Sequence, residues 1–161
     1  MATSNQNLSD YDLSPVEGAE RMRVGIAVSE WNSEITNNLL QGAREALLKM
    51  GVLEENIVVR HAPGSFELPL VAEWLIEGAG SDGVVALGSV IQGETRHFEF
   101  VCNATAQGIM QVGIKHSAPV IFGVLTDDNI EQARARSGGK HGNKGVECAV
   151  AAVKMIALKW E

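Results

Sequence analysis

The feature that most constrains this chain is a repeated alternation. Four aliphatic runs, at residues 23–29, 57–60, 84–87 and 119–125, are each followed by a polar or glycine-bearing break and then by a stretch with apolar residues at three- and four-residue steps. Such runs are too short for helices and lack strict alternation, so they read as strands buried on both faces. A strand regularly followed by a helix predicts a parallel sheet, because parallel neighbours need long crossover connections. At 161 residues, 45% of them hydrophobic, with 17 glycines for the turns, the chain suits one α/β domain with a substantial core.

The first strand leads into Glu30-Trp31-Asn32-Ser33, with Ser33 as the expected helix cap, and Ile35, Leu39, Leu40, Ala43, Leu47 and Met50 mark the buried stripe of the first helix, which Gly51 ends. Pro69 suits the start of a second helix with a stripe of Leu70, Val71, Trp74 and Leu75. The third run breaks at Gly88 to Gly93, where the backbone is expected to turn into a long helix over 95–116. After the fourth strand, cap formers at 126–129 precede a short helix over 130–136, a glycine-rich break, and a final helix over 146–160. Residues 1–22 show no periodicity and read as an N-terminal arm, leaving 23–161 as the single domain.

In a parallel sheet, ligands collect at the carboxyl ends of the strands, and the loops carrying Trp31, Phe66 and Gly93 all fall there. Trp31 offers a flat face for a heterocycle, or else packs on the helix it precedes. Gly64-Ser65-Phe66-Glu67 combines a hydroxyl, a ring and a carboxylate suited to a polyol, though Glu67 also fits a simple helix start. Amides opening the third helix favour an anion, and His97 beside them can exchange protons near neutral pH. Arg136 and Lys144 flank the glycine-rich break and either close on a phosphate or complement helix ends.

Several classes are disfavoured. The stretch from Gly88 to Thr95 nearly matches G-x-x-x-x-G-K-[ST], but Glu94 stands where the phosphate-binding lysine belongs. Neither G-x-G-x-x-G nor G-x-S-x-G occurs, so nicotinamide and elbow-serine chemistry lack support, and no cofactor is expected. His61, His116 and His141 show no metal-ligand spacing, and none of the chain's residues is assigned to a metal. A net charge of −7 argues against nucleic acid as a partner. No apolar run has the length of a membrane span and no secretory signal is visible, so a cytoplasmic location is expected, with Cys102 and Cys148 as reduced, buried thiols.

Five separated motifs, in order, carry a family resemblance: Trp31-Asn32, the run from Pro63 to Pro69, the run from Gly88 to Phe98, Phe122-Gly123-Val124-Leu125-Thr126, and Gly142-Asn143-Lys144-Gly145. Together they resemble the 6,7-dimethyl-8-ribityllumazine synthases of riboflavin biosynthesis, over nearly the whole chain after Met22. The resemblance implies a three-layer, flavodoxin-like α/β sandwich with a four-stranded parallel sheet flanked by helices. It implies condensation of 5-amino-6-(D-ribitylamino)uracil with 3,4-dihydroxy-2-butanone 4-phosphate, at a site between neighbouring subunits of a homopentamer. Carried over by position, Trp31 stacks on the pyrimidine, Asn32, Gly64, Ser65, Phe66 and Glu67 surround the ribityl chain, and Val90 and Ile91 give backbone contacts. Gly93, Glu94, Thr95 and a neighbour's Arg136 receive the phosphate, Phe122 and Lys144 also come from the neighbour, and His97 transfers protons. Glu94 and Arg96 stand where relatives often have small or hydroxyl residues. The short break from Ser137 to Gly142 and Pro15 in the arm resemble shell-forming members, which implies a pentamer-based icosahedral shell and riboflavin synthase as a possible guest. The alternatives are a container without catalysis and a flavin-binding module.

Overall fold

The structure is a computed structural model that describes residues 10–161, so the first nine positions of the expected arm lie outside the described residues. Strands β1 (Val24–Ser29), β2 (Ile57–Ala62), β3 (Gly83–Ile91) and β4 (Val120–Asp127) form one sheet in the order β2-β1-β3-β4. All neighbours are parallel, with Val24 opposite both Ile57 and Gly83, and Val84 opposite Val120. Helices α1 (Ser33–Lys49), α2 (Leu68–Glu77), α3 (His97–His116), α4 (Ile130–Arg136) and α5 (Lys144–Trp160) complete the α/β architecture.

The aliphatic runs are explained by the two cores. In β1, Val24, Ile26 and Val28 join one apolar cluster with α1 and α5, while Ala27 faces a second cluster with α2 and α3. The same division sends Val85 and Leu87 of β3 to the first cluster and Val84 and Ala86 to the second. A strand covered on both sides has no polar face, so period-two alternation disappears from the sequence.

The structure departs from the sequence reading in several places. Strand β3 continues through Gly88 to Ile91 instead of turning there, and α3 opens at His97. Gly88 is required by close packing of the sheet against the Ser65 turn and the start of α2: a Cβ there would lie 2.6 Å from Ser65 Oγ and 3.1 Å from Leu68 Cδ1. Ser33 does not cap α1; the cap position is Asn32, whose backbone is left-handed at φ 55°. Of the expected α2 stripe, Val71 and Leu75 are buried, whereas Leu70 and Trp74 face outward, and Leu68 and Ala72 take the inner positions. Residues 10–22 are not wholly outside the core, because Ala19 and Met22 are completely buried and Val16 N–H donates to the Met50 carbonyl. The glycine-rich break forms a small antiparallel pair, β5 (Ser137–Gly139) with β6 (Gly142–Asn143), and α5 begins at Lys144, two residues earlier than expected.

Candidate functional site

The carboxyl ends of β1, β2 and β3 open onto a cleft of about 630 Å³ lined by Trp31, Asn32, Gly64, Ser65, Phe66, Glu67, Ser89, Val90, Ile91, His97 and Val101. The loops of Trp31 and Phe66 contribute, because parallel strands bring their ends to one edge of the sheet, whereas Gly93, Glu94 and Thr95 do not line the cleft and only Ser89 to Ile91 before them and His97 after them do. The aromatic residues remain uncovered within the chain: Trp31 is 72% exposed and Phe66 60%. Large apolar rings left in water at a cleft suit stacking on a flat ligand.

Local bonds fix the walls. The left-handed turn at Asn32 aims its side chain at β3, where Nδ2 donates to the Ser89 carbonyl at 3.0 Å. Trp31 is thereby tied to the strand carrying Val90 and Ile91. The turn Ser65–Glu67 is a single 3-10 turn held from two sides: its Ser65 carbonyl accepts from Leu68 N–H and from the buried Thr105 hydroxyl at 3.1 Å. Gly64 lies between the Trp31 indole and the Glu67 carboxylate, close enough that a Cβ would sit 3.4 Å from one and 3.0 Å from the other. The hydroxyls of Ser65 and Ser89 are buried and without a hydrogen-bond partner. Both oxygens are shut off from solvent, and Ser65 Oγ faces β3, where a Cβ on Gly88 would lie 2.6 Å from it.

His97 is the first residue of α3 and its amide donates to Thr95 Oγ1 at 3.4 Å. Gly93, Glu94 and Thr95 form the exposed link from β3 to α3 beside it, outside the helix that was expected to include Thr95. First-turn amides have no intrahelical acceptor, so the position favours an anion next to the imidazole.

Phe122, Arg136 and Lys144 do not line this cleft. Arg136 and Lys144 form a second group around the start of α5, where Glu147 accepts from Arg136 Nη2 at 2.7 Å and from Lys144 Nζ at 3.1 Å, while Phe122 lines a separate apolar cleft with Ile109 and Met110 of α3 and Met155 and Leu158 of α5. Arg136 Nη1 also donates to the His141 carbonyl at 2.8 Å. The Gly142-Asn143-Lys144-Gly145 motif builds this corner. Asn143 Oδ1 caps α5 by accepting from Gly145 N–H at 2.8 Å, and a Cβ on Gly145 would collide with the Leu39 carbonyl oxygen of α1. Cys148 Sγ lies 3.7 Å from the Phe122 carbonyl, and burial pushes its thiol up to about 12. Burial likewise raises the Asp127 carboxyl, against the pull of nearby Arg136.

The site's two groups carry the spaced motifs of one enzyme family, and the match to known proteins decides which. The family model described as 6,7-dimethyl-8-ribityllumazine synthase matches residues 21–159. The chain belongs to the 6,7-dimethyl-8-ribityllumazine synthase family. Among curated relatives, the 6,7-dimethyl-8-ribityllumazine synthase of Christiangramia forsetii is 54% identical over 99% of this chain and 95% of its own. That of Cytophaga hutchinsonii is also 54% identical, over 98% of both chains, and that of Porphyromonas gingivalis is 49% identical over 99% of both. A lumazine synthase is a transferase of riboflavin biosynthesis, and the four-stranded parallel sheet flanked by helices is the flavodoxin-like arrangement of that family.

Sequence reasoning missed Ser89, Val101, Thr105 and Glu147. Val101 was detectable as the residue one turn after His97 on the same helix. Ser89 was hidden by the expectation of a turn at Gly88. One further grouping corrects the reading of His116: the fold brings it within 4.8 Å of Glu73 and Glu77. There Glu73 pairs with Lys115, which holds its carboxyl below the usual range, and faces His116 Nε2 at 3.4 Å, so the pair ties α2 to α3. Among the described residues, no helix is long and apolar enough to cross a membrane.

Proposed function

We propose that the cleft joins 5-amino-6-(D-ribitylamino)uracil to 3,4-dihydroxy-2-butanone 4-phosphate, releasing phosphate and water as the lumazine ring closes. The observation that carries this reading is the cleft at the strand ends, where Trp31, Phe66, Glu67 and His97 converge. Trp31 stacks on the pyrimidine, Asn32, Gly64, Ser65, Phe66 and Glu67 hold the ribityl chain and its surroundings, and the backbone of Val90 and Ile91 meets the ring edge. Gly93, Glu94 and Thr95 receive the phosphate.

The uracil amine is itself the nucleophile, so no covalent residue is needed. It attacks the ketone carbon, water leaves to give an imine, and phosphate departs as a proton is removed from the adjoining carbon. Phosphate loss leaves an enol, which takes a proton at its terminal carbon to become a methyl ketone; attack of the ribityl-bearing nitrogen on that new carbonyl, with loss of a second water, closes the ring. His97 moves protons among these steps, while most of the acceleration comes from holding two reactants together.

The cleft receives Arg136, Phe122 and Lys144 from a neighbouring copy. Support comes from their position: within one chain Arg136 and Lys144 gather at the start of α5, away from the cleft, and Phe122 lines a different apolar surface, 37% exposed. A homopentamer supplies such a neighbour to every site. The short β5–β6 break and Pro15 in the 1–22 arm support a pentamer-based icosahedral shell, with riboflavin synthase as a candidate guest and the cytoplasm as the location. Neither a cofactor nor a metal takes part in this reading.

The test is incubation with both substrates while lumazine absorbance and released phosphate are followed together. Equal appearance of the two, dependent on both substrates, is expected; binding of a ribityl pyrimidine without turnover overturns the enzyme reading. Sedimentation velocity on the same preparation tests the assembly, and a monomer with full activity refutes the shared site.

A further inference from the structure

We infer that Glu147 is a positioning residue for the phosphate-bearing substrate, acting through Arg136 and Lys144. This rests on the reading that Arg136 binds the phosphate. Arg136 lies in the last turn of α4 and Lys144 in the first turn of α5, and the small β5–β6 pair joins them. Two long cationic side chains at such a junction have no intrinsic reason to share an orientation, since each has several freely rotating bonds.

Glu147 supplies the reason. One carboxylate oxygen takes Arg136 Nη2 at 2.7 Å and the other takes Lys144 Nζ at 3.1 Å. Its side chain is only 12% exposed, and that of Arg136 only 19%, so water competes weakly for the bonds. The His141 carbonyl holds Arg136 Nη1 at 2.8 Å, which fixes the guanidinium plane at a second point. Those two bonds use two of the five N–H donors that a guanidinium carries, leaving the others for a phosphate. Glu147 itself sits one turn into α5, and the residue after it on that helix, Cys148, is 2% exposed. A carboxylate so placed stays with the protein and orients the fork, rather than acting as a lid that the substrate must displace.

Charge alone predicts the opposite effect from orientation, which makes the inference testable. If Glu147 only offset positive charge, its neutralisation would strengthen phosphate binding. If it orients, neutralisation loosens the fork and weakens productive binding.

The experiment measures kcat and the Michaelis constant for each substrate, with inhibition by inorganic phosphate, in the intact protein and in Glu147→Gln, Glu147→Asp, Arg136→Ala and the Arg136→Ala/Glu147→Gln pair. Glu147→Gln is expected to raise the Michaelis constant for the butanone phosphate about tenfold, the loss of one well-placed charge-assisted bond, and to leave that for the pyrimidine unmoved. Inhibition by inorganic phosphate weakens in parallel. Glu147→Asp keeps the charge but reaches one cation less well, so a smaller rise of about threefold is expected, and this variant serves if the glutamine protein does not fold. In the Arg136→Ala background Glu147→Gln is expected to cost less than in the intact protein, retaining only the part exerted through Lys144, because a positioning group loses its effect as its clients are removed. A lowered constant for the phosphate substrate in Glu147→Gln overturns the inference in favour of simple charge balance. Equal rises for both substrates with a lowered unfolding temperature overturn it in favour of a structural role. Should Arg136→Ala itself leave the phosphate constant unchanged, the failure belongs to the reading of Arg136 as the phosphate ligand.

Discussion

Replacing Gly88 by alanine tests how the sheet and the substrate turn are fitted together. The added Cβ would lie 2.6 Å from Ser65 Oγ, 3.1 Å from Leu68 Cδ1 and 3.3 Å from Val124 Cγ1. Comfortable carbon contacts lie at about 3.5–4.0 Å, so all three are compressed and the serine hydroxyl most of all. Overpacking of this kind costs about 1–3 kcal/mol, offset by about 0.4–1 kcal/mol from the reduced freedom of the unfolded chain. The net expectation is a loss of about 1–2 kcal/mol. Because Ser65 Oγ is buried and has no partner, Ser65→Ala alone is expected to be neutral or slightly stabilising. In that background the worst contact disappears, and Gly88→Ala is expected to cost less by about 1 kcal/mol. Denaturant unfolding of the four proteins gives the cycle, at one fixed protein concentration because subunit association adds to apparent stability. Equal costs of Gly88→Ala in both backgrounds would refute the idea that this glycine exists to admit the Ser65 turn.

Other perturbations follow from the same geometry. His97→Ala is expected to lower kcat about a hundredfold without abolishing turnover, since orientation of the two substrates survives, and steady-state kinetics decides it. Thr105→Val keeps the side chain's shape and removes its bond to the Ser65 carbonyl; as Leu68 N–H still satisfies that oxygen, a loss of only about 1 kcal/mol is expected in denaturant unfolding. Asp127 is held above its ordinary 3.8 by burial, so the native state keeps its proton longer than the unfolded chain and stability falls as pH rises from that value through the raised native one. Asp127→Asn removes this slope and is expected to be the more stable protein at neutral pH; unfolding midpoints that keep the slope would contradict the assignment. Cys148, with its thiol pushed up to about 12, is expected to resist iodoacetamide at mildly alkaline pH until the chain is unfolded, as mass mapping of the alkylated peptide will show.

Much of this architecture was legible in the residues because it is written locally. Aliphatic runs without alternation specify strands covered on two faces, and the stripe Ile35, Leu39, Ala43 and Leu47 specifies one face of α1. Asn129 announces α4, and its side chain indeed accepts from Gln132 N–H. The motifs that identify the family are contiguous, so they survive without any knowledge of the fold. The errors lie where a distant neighbour decides. Gly88 looks like a turn until Ser65 and Leu68 arrive from another loop to occupy the space of its side chain. Leu70 and Trp74 follow helical spacing, yet which side of α2 is buried depends on where the sheet and α3 lie.

The sequence by itself determined the α/β alternation, the family, and the types of residue available for chemistry, since each depends on neighbours a few positions apart. Only the tertiary structure decided how those residues divide between the strand-end cleft and the start of α5. It alone joined Asn32 to Ser89, Thr105 to Ser65, and Glu147 to both Arg136 and Lys144. Such pairings arise when packing against the sheet desolvates polar groups and makes an unpaired one costly, a condition that no local pattern encodes.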